Sequence, residues 1–391
     1  MKPTLSGSLR GGLGLLLIAA LAVTTACSSK PKLREPTKLV EIAKPEIKVQ
    51  EVWSRSAGNG SGGFYSGLRL ALEADALYAA AINGGVFALD PKTGATIWQS
   101  RTKSRVIAGP TVAADLVYVG TLDGDVIGLK RADGKEVWRH RLLSEVAAAQ
   151  VASGDVVVVR TVDGRQFGLS VADGARVWNF DRAVPNLTLR GLSKPLILGN
   201  RVYIGLDSGK LVALNLADGV PAWEQNLSVP TGRSELERLT DVDADLLAAD
   251  NGIYAVSYGN DIALLDPVSG ESRWRRSIKS YTGMSNDAKH LYVTDNDGLL
   301  WSLDADSGAV IWKQEALKFR RLSPPAVFGQ YIVAADYKGY IHWFEPGDGR
   351  IVARNSLGGH AVTAAPVSDG ERLYLLNTDG DIAAYRIAPA K

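Results

Sequence analysis

The stretch LYAAAINGGVFALDPKTGATIW (77–98) returns as VYVGTLDGDVIGLKRADGKEVW (117–138) and VVVVRTVDGRQFGLSVADGARVW (156–178). Each copy reads as an apolar segment, a turn with Gly, an alternating segment, a turn ending in Gly, and Trp four residues later. Five more copies follow at 202–223, 253–274, 291–312, 332–353 and 373–387. Self-similarity at a period of about forty residues is the signature of a repeat array. The apolar segments are short and rich in Val, Ile, Leu, Tyr and Ala, which suits strands and is too short for helices. Pairs such as Asn83-Gly84, Asp123-Gly124 and Asp163-Gly164 supply the positive φ that tight hairpins require. Upstream of each copy lies a further apolar stretch, such as GPTVAA (109–114), which makes four strands per unit, the count of a propeller blade.

The Trp positions number the blades. They are Trp98, Trp138, Trp178, Trp223, Trp274 and Trp312, with Ala353 at the seventh equivalent place. The eighth copy stops at Arg386-Ile387, before any Trp strand. The missing strand is at the other end, where EIKVQEVW (46–53) ends in Trp53. The chain is therefore expected to be all-β, an eight-bladed β-propeller of four-stranded antiparallel blades. Its N-terminal strand joins the last blade and closes the ring, which hides the sheet edges. The Trp, locked in spacing to a turn, is expected to stack across to the next blade with its N–H on a backbone acceptor.

The N-terminus carries Lys2 and Arg10, an apolar run from Leu13 to Val23, and TTAC (24–27). Such a run is too short to span a bilayer and reads as a signal peptide over 1–26. TTAC resembles a bacterial lipoprotein processing site, with Thr24 where an aliphatic residue is usual. That resemblance implies cleavage before Cys27, lipidation of Cys27 and, with Ser28 rather than Asp next, sorting to the outer membrane. Ordinary signal cleavage leaving a free thiol is the alternative. Residues 27–45 then form the lipidated Cys and a Lys- and Pro-rich flexible tether, reaching at most about 60 Å. The propeller spans 46–387 and a short tail 388–391. Cys27 is the one cysteine, so there is no disulfide framework. The formal charge of +2 comes from Lys2 and Arg10; without them the 44 basic residues fall to the number of acidic ones, 42. A neutral balance of this kind argues against nucleic acid as a partner.

Chemistry-bearing motifs are sparse. His140, His290, His342 and His360 fall in different blades without ligand spacing. DVDAD (241–245) places carboxylates at alternate positions, as calcium loops do, but has Leu246 where such loops need Gly and Gly252 where they need Glu. There is no phosphate loop and no nucleophile elbow. LDPKTGATIW resembles the tryptophan-docking motif of pyrroloquinoline-quinone dehydrogenases. Those enzymes are longer, with loops roofing a cofactor pocket, and carry a cysteine pair or a CxxCH haem site that this chain lacks. The expectation is a protein that is not an enzyme and takes no cofactor and no metal, with a quinone-dependent dehydrogenase as the rival.

The repeat breaks twice. Trp178 to Trp223 spans 45 residues and Trp223 to Trp274 spans 51. The extra residues fall in DRAVPNLTLRGLSK (181–194) and SVPTGRSELERLTDVDAD (228–245), which link consecutive blades and are expected side by side on one face. Long loops on a rigid scaffold are where binding resides. The first offers Leu187 and Leu189 beside Arg190; the second offers Asp241 and Asp243, with Arg238 near. The plain alternative is that Arg190 and the aspartates pair with each other on a solvated surface and the leucines pack beneath the loop.

VPNLTLRG (184–191), TGRSELERLTDVD (231–243), KGYIHWFEPGDGR (338–350) and GNGSGGFYSGLRLAL (58–72) resemble the corresponding stretches of the BamB family, lipoprotein subunits of the outer-membrane β-barrel assembly machine. The resemblance covers essentially the whole chain after Cys27. It implies a periplasmic scaffold lipid-anchored to the outer membrane, docked on the POTRA domains of BamA, that aids assembly and insertion of β-barrel proteins and would hold unfolded barrel precursors near the insertion site. It places the family's BamA-contact positions on Leu187, Leu189, Arg190, Asp241 and Asp243. A propeller binding some other envelope partner, such as a peptidoglycan enzyme, is the third possibility.

Overall fold

The computed structural model describes residues 34–151 and 154–388; the signal peptide, Cys27 and residues 389–391 of the tail lie outside them. Eight sheets follow one another around a ring. Blades 1 to 7 each hold four strands consecutive in the chain, from Ala71–Leu72, Leu77–Ala80, Gly85–Leu89 and Thr96–Arg101 in blade 1 to Ala326–Phe328, Tyr331–Ala335, Tyr340–Phe344 and Ile351–Ser356 in blade 7. Blade 8 takes Val367–Ser368, Leu373–Leu376 and Asp381–Ile387 from the end of the chain and Val49–Ser56 from its start. The expected closure is thus in place, antiparallel, with Trp53 opposite Ala384. First strands of neighbouring blades touch and line the axis. The apolar clusters sit between blades: Tyr78, Val86, Trp98, Val117 and Ile127, for example, come from blades 1 and 2.

Every outer strand has a bulge at the residue before the Trp position. A bulge adds a residue on one side of a pair and re-aims the next side chain. Here it turns the indole off its own sheet and onto the next blade. Seven rings dock this way, with Nε1 of Trp53, Trp98, Trp138, Trp178, Trp223, Trp274 and Trp312 donating to the carbonyls of Pro91, Arg131, Val171, Leu216, Pro267, Ala305 and Pro346. Each acceptor lies in the turn between the third and fourth strands of the following blade. The Gly of that turn admits the ring: Gly174 has φ +72°, and a Cβ there would sit 2.6 Å from the Trp138 ring. A Tyr on the Trp's own sheet backs most rings, as Tyr118 does at 5.7 Å from Trp138.

The exception explains Ala353. Blade 8 has no turn between its third and fourth strands, because the chain's two ends meet there. An indole at 353 would have nothing to dock on. Instead Glu46 N donates to Val352 O at 2.9 Å and Ala388 N to Lys48 O at 2.7 Å, while Ile47, Val49 and Ile387 pack against the blade 7–8 core.

The compact unit begins at Pro36, earlier than composition suggested. Thr37 N donates to Lys318 O at 3.0 Å, Arg320 donates to Thr37 O at 3.0 Å, Arg354 donates to Val40 O at 2.8 Å, and Leu39 packs on the blade 6–7 cluster. Residues 37–45, counted with the tether by their Lys and Pro content, therefore begin as a strap on blades 6 and 7. Sequence missed this because the partners lie about 280 residues away and the strap forms no strand.

Candidate functional site: three loops at one mouth of the ring

The connections from the outer strand of one blade to the inner strand of the next gather at one mouth of the ring. Two are the insertions, and they lie side by side as their spacing predicted. Leu189 N donates to Asp241 Oδ1 at 3.0 Å, Ser193 Oγ to Val242 O at 3.0 Å, and Lys194 N to Asp245 Oδ1 at 2.9 Å. The first and last acids of DVDAD, Asp241 and Asp245, thus accept backbone N–H groups of the neighbouring loop.

A third loop joins them that repeat spacing did not single out. Residues 57–70 make the same kind of connection, from blade 8 to blade 1. Gly67–Leu68 pairs in parallel with Ala108 and Gly109 of blade 2, and Arg69 N donates to Gly109 O at 3.0 Å. Gly67 lies so close to blade 3 that a Cβ would be 2.7 Å from Ala147 O. Arg69 then reaches Asp245 of the second insertion. Burial disfavours the Asp245 carboxylate, but Arg69 and Lys194 outweigh it and hold its pKa below the usual value.

Beneath the two insertions sits a buried charge cluster. Arg160, from the second strand of blade 3, donates to Ser193 Oγ at 2.6 Å and Gly205 O at 2.9 Å, and pairs with Asp207. Carboxylate oxygens of Asp207, Asp241 and Asp243 lie within 4.8 Å of one another. Both oxygens of Asp243, Oδ2 of Asp241 and Nε of Arg160 lack a hydrogen-bond partner. Three acids therefore share one guanidinium. Burial raises Asp241 to about 6 and Asp243 to about 7, the nearby acids adding to it and Arg160 opposing it. Arg160 brings the positive charge that a metal ion would bring to such a triad. Gly191 makes the approach of the loop possible, since a Cβ there would be 2.3 Å from Arg160 Nη2 and 2.6 Å from Asp243 Oδ1. Asp207 and Arg160 were invisible as site residues: each looks like ordinary repeat sequence, one before a Ser-Gly turn and the other at the end of a strand.

The five residues singled out in sequence divide into two groups. Leu187 is 42 % exposed, and Leu189 and Arg190 are partly buried. Arg190 has φ 67°, a left-handed conformation uncommon for a side-chain-bearing residue, and pairs with Glu145 on the neighbouring connection rather than with Asp241. Asp241 and Asp243 are 0 % and 6 % exposed, beneath the surface that the leucines and Arg190 form. The surface ion pair of the plain alternative is thus real for Arg190 but has a different partner.

Among known proteins, the family model described as outer membrane protein assembly factor BamB matches residues 82–314 and 303–390. A protein of that name from Alkalilimnicola ehrlichii is 50 % identical over 373 residues, covering 95 % of this chain and 96 % of its own. One from Pseudomonas aeruginosa is 46 % identical over 372 residues, covering 95 % and 98 %. The crystal structure of BamB from Moraxella catarrhalis superposes with a TM-score of 0.79 at 28 % identity, over 87 % of this chain and all of that one. A europium-containing methanol dehydrogenase also superposes, with a TM-score of 0.70 over 86 % and 93 %, but at 13 % identity it shares the fold alone.

Proposed function

Since the chain belongs to the BamB family of outer membrane protein assembly factors, we propose that it serves outer-membrane protein assembly as a non-catalytic scaffold that docks on the POTRA domains of BamA. The observation that carries this reading is the pairing of an exposed loop surface with a rigid underside. Leu187, Leu189 and Arg190 are presented at the mouth of the ring, while Asp241 fixes the backbone of Leu189 by a hydrogen bond. A small apolar contact flanked by charges of both signs gives orientation and on-rate as well as affinity. Asp241 and Asp243 contribute by shaping the loop, because burial keeps them from a partner's surface. The same burial weighs against catalysis there: the acids face Arg160 and one another, closed off from a substrate.

On this reading Cys27 carries the lipid that holds the protein at the periplasmic face of the outer membrane, and unfolded barrel precursors are held near the insertion site. Cys27 lies outside the described residues, and the anchor's contribution is one of effective concentration.

The test is binding of residues 28–391 to the isolated POTRA domains, with Arg190→Glu as the control. Saturable binding that falls at least ~100-fold on charge reversal, at an unchanged melting temperature, is the expected result. Binding indifferent to the reversal would move the site elsewhere on the propeller. Absence of wild-type binding would remove BamA as the partner.

A further inference from the structure

The loop 57–70 holds two aromatic side chains in water. Phe64 is 47 % exposed and its neighbour Tyr65 51 %. Exposed aromatics on a mobile loop would need no explanation, but this loop is fixed at both ends. On one side Ala57 N donates to Gly380 O at 2.8 Å, Ser61 N to Thr378 O at 2.9 Å, and Ile82 N to Gly60 O at 2.8 Å. Gly60, at φ +49°, lies against blade 8 so closely that a Cβ would be 2.3 Å from Thr378 O. Phe64 N itself donates to Ser61 O at 3.0 Å. On the other side are the parallel pairing of Gly67–Leu68 and the Arg69–Asp245 ion pair. Two rings are thereby held half in solvent on a pre-ordered backbone, the arrangement in which an aromatic side chain gives the most binding free energy for the least lost entropy.

Their position is specific. The Tyr65 hydroxyl is raised to about 12, by burial first and then by Asp243 and Tyr281, with Arg190 opposing. Asp243 and Arg190, one from each insertion, thus lie near enough to the Tyr65 hydroxyl to act on its charge. Arg69 ties the same loop to Asp245, two residues beyond Asp243.

We propose that Phe64 and Tyr65 form a third contact element of the docking face, continuous with Leu187 and Arg190, and that Arg69 is the positioning residue that holds them there. The inference rests on the docking reading above. The surface fits a folded domain with an apolar recess, large enough for an aromatic ring, beside a carboxylate that meets Arg190. The occupant is the one proposed above, the POTRA domains.

The experiment is the same binding measurement with three further proteins. The double variant Phe64→Ser/Tyr65→Ser is expected to weaken binding at least ~tenfold with an unchanged melting temperature. Arg69→Ala keeps both rings and is expected to weaken binding less, about threefold to tenfold, with faster amide exchange across 63–70. Phe64→p-benzoylphenylalanine preserves an aromatic ring at the site and is expected to crosslink to the POTRA domains on irradiation. If wild type binds and Arg190→Glu abolishes binding, yet the double variant binds within twofold of wild type and position 64 does not crosslink, the inference fails while the docking reading stands. Absence of wild-type binding overturns both.

Discussion

The seams between blades and the loops at the mouth of the ring are built on opposite principles. At a seam such as that of blades 2 and 3, Trp138 is buried, backed by Tyr118, seated on Gly174 and bonded through Nε1 to Val171 O at 2.8 Å. The glycine seat and the Nε1 bond recur at seven seams, and the backing Tyr at six of them. At the mouth, three buried acids share one guanidinium, and several of their polar atoms go unbonded. Buried polar atoms without partners each cost about 1–3 kcal/mol. The ring is where the sequence is locally consistent with its fold; the mouth is where that consistency is given up to hold irregular loops in place. Strain of this second kind gathers at functional sites.

The largest expected effect falls on a seam. Trp138→Ala removes a buried ring and its hydrogen bond and should lower unfolding free energy by about 3–5 kcal/mol. Denaturant melts of wild type and variant measure it. A loss below 1 kcal/mol would mean that the seams do not carry the ring.

Next comes the one seam without an indole. Ala353→Trp restores the repeat pattern, but the following blade offers no turn to receive the ring, and Ala353 is already buried opposite Trp343. Overpacking of this kind costs about 1–3 kcal/mol. A more stable variant would show that an indole needs no such turn and would erase the contrast among the seams.

A smaller effect, with a sign that depends on pH, belongs to the mouth. Asp241 and Asp243 have folded pKa values of about 6 and about 7, above the ordinary value of 3.8. Folding therefore favours their protonated forms. Their stabilising contribution is full below the ordinary carboxylate pKa and is lost as pH rises through the two raised values. Asp243→Asn, which keeps the neutral shape, should melt higher than wild type at pH 8 and level with it at pH 3. Equal differences at both pH values would mean that Asp243 is ionised throughout and held by Arg160.

Legibility in sequence followed the same division. The blades, their number and the ring closure could be read because each Gly-containing turn, each strand and each Trp repeats at a fixed offset, so local signals reinforce one another. The two insertions could be read as departures from that period. Arg160, Asp207 and Glu145 could not, and the loop 57–70 stands out only through the family resemblance of 58–72, because their partners are set by how blades face one another. Arg69 meets Asp245 across 176 positions of chain. The closing strand shows the limit of local reading too: the apolar pattern placed it at 46–53, whereas pairing with Asp381–Ile387 runs over Val49–Ser56.

That closing pair has a consequence in time. Val49–Ser56 is made before any other strand of the propeller, and its hydrogen-bonding partner is made last. No earlier strand can take the partner's place, so the first strand keeps an open edge until synthesis reaches residue 387. Pairings this distant along the chain form slowly and leave the chain prone to aggregate while it waits. Loss of Asp381–Ile387 would therefore undo Val49–Ser56 as well, and with it the docking of Trp53 on Pro91 that joins blade 8 to blade 1.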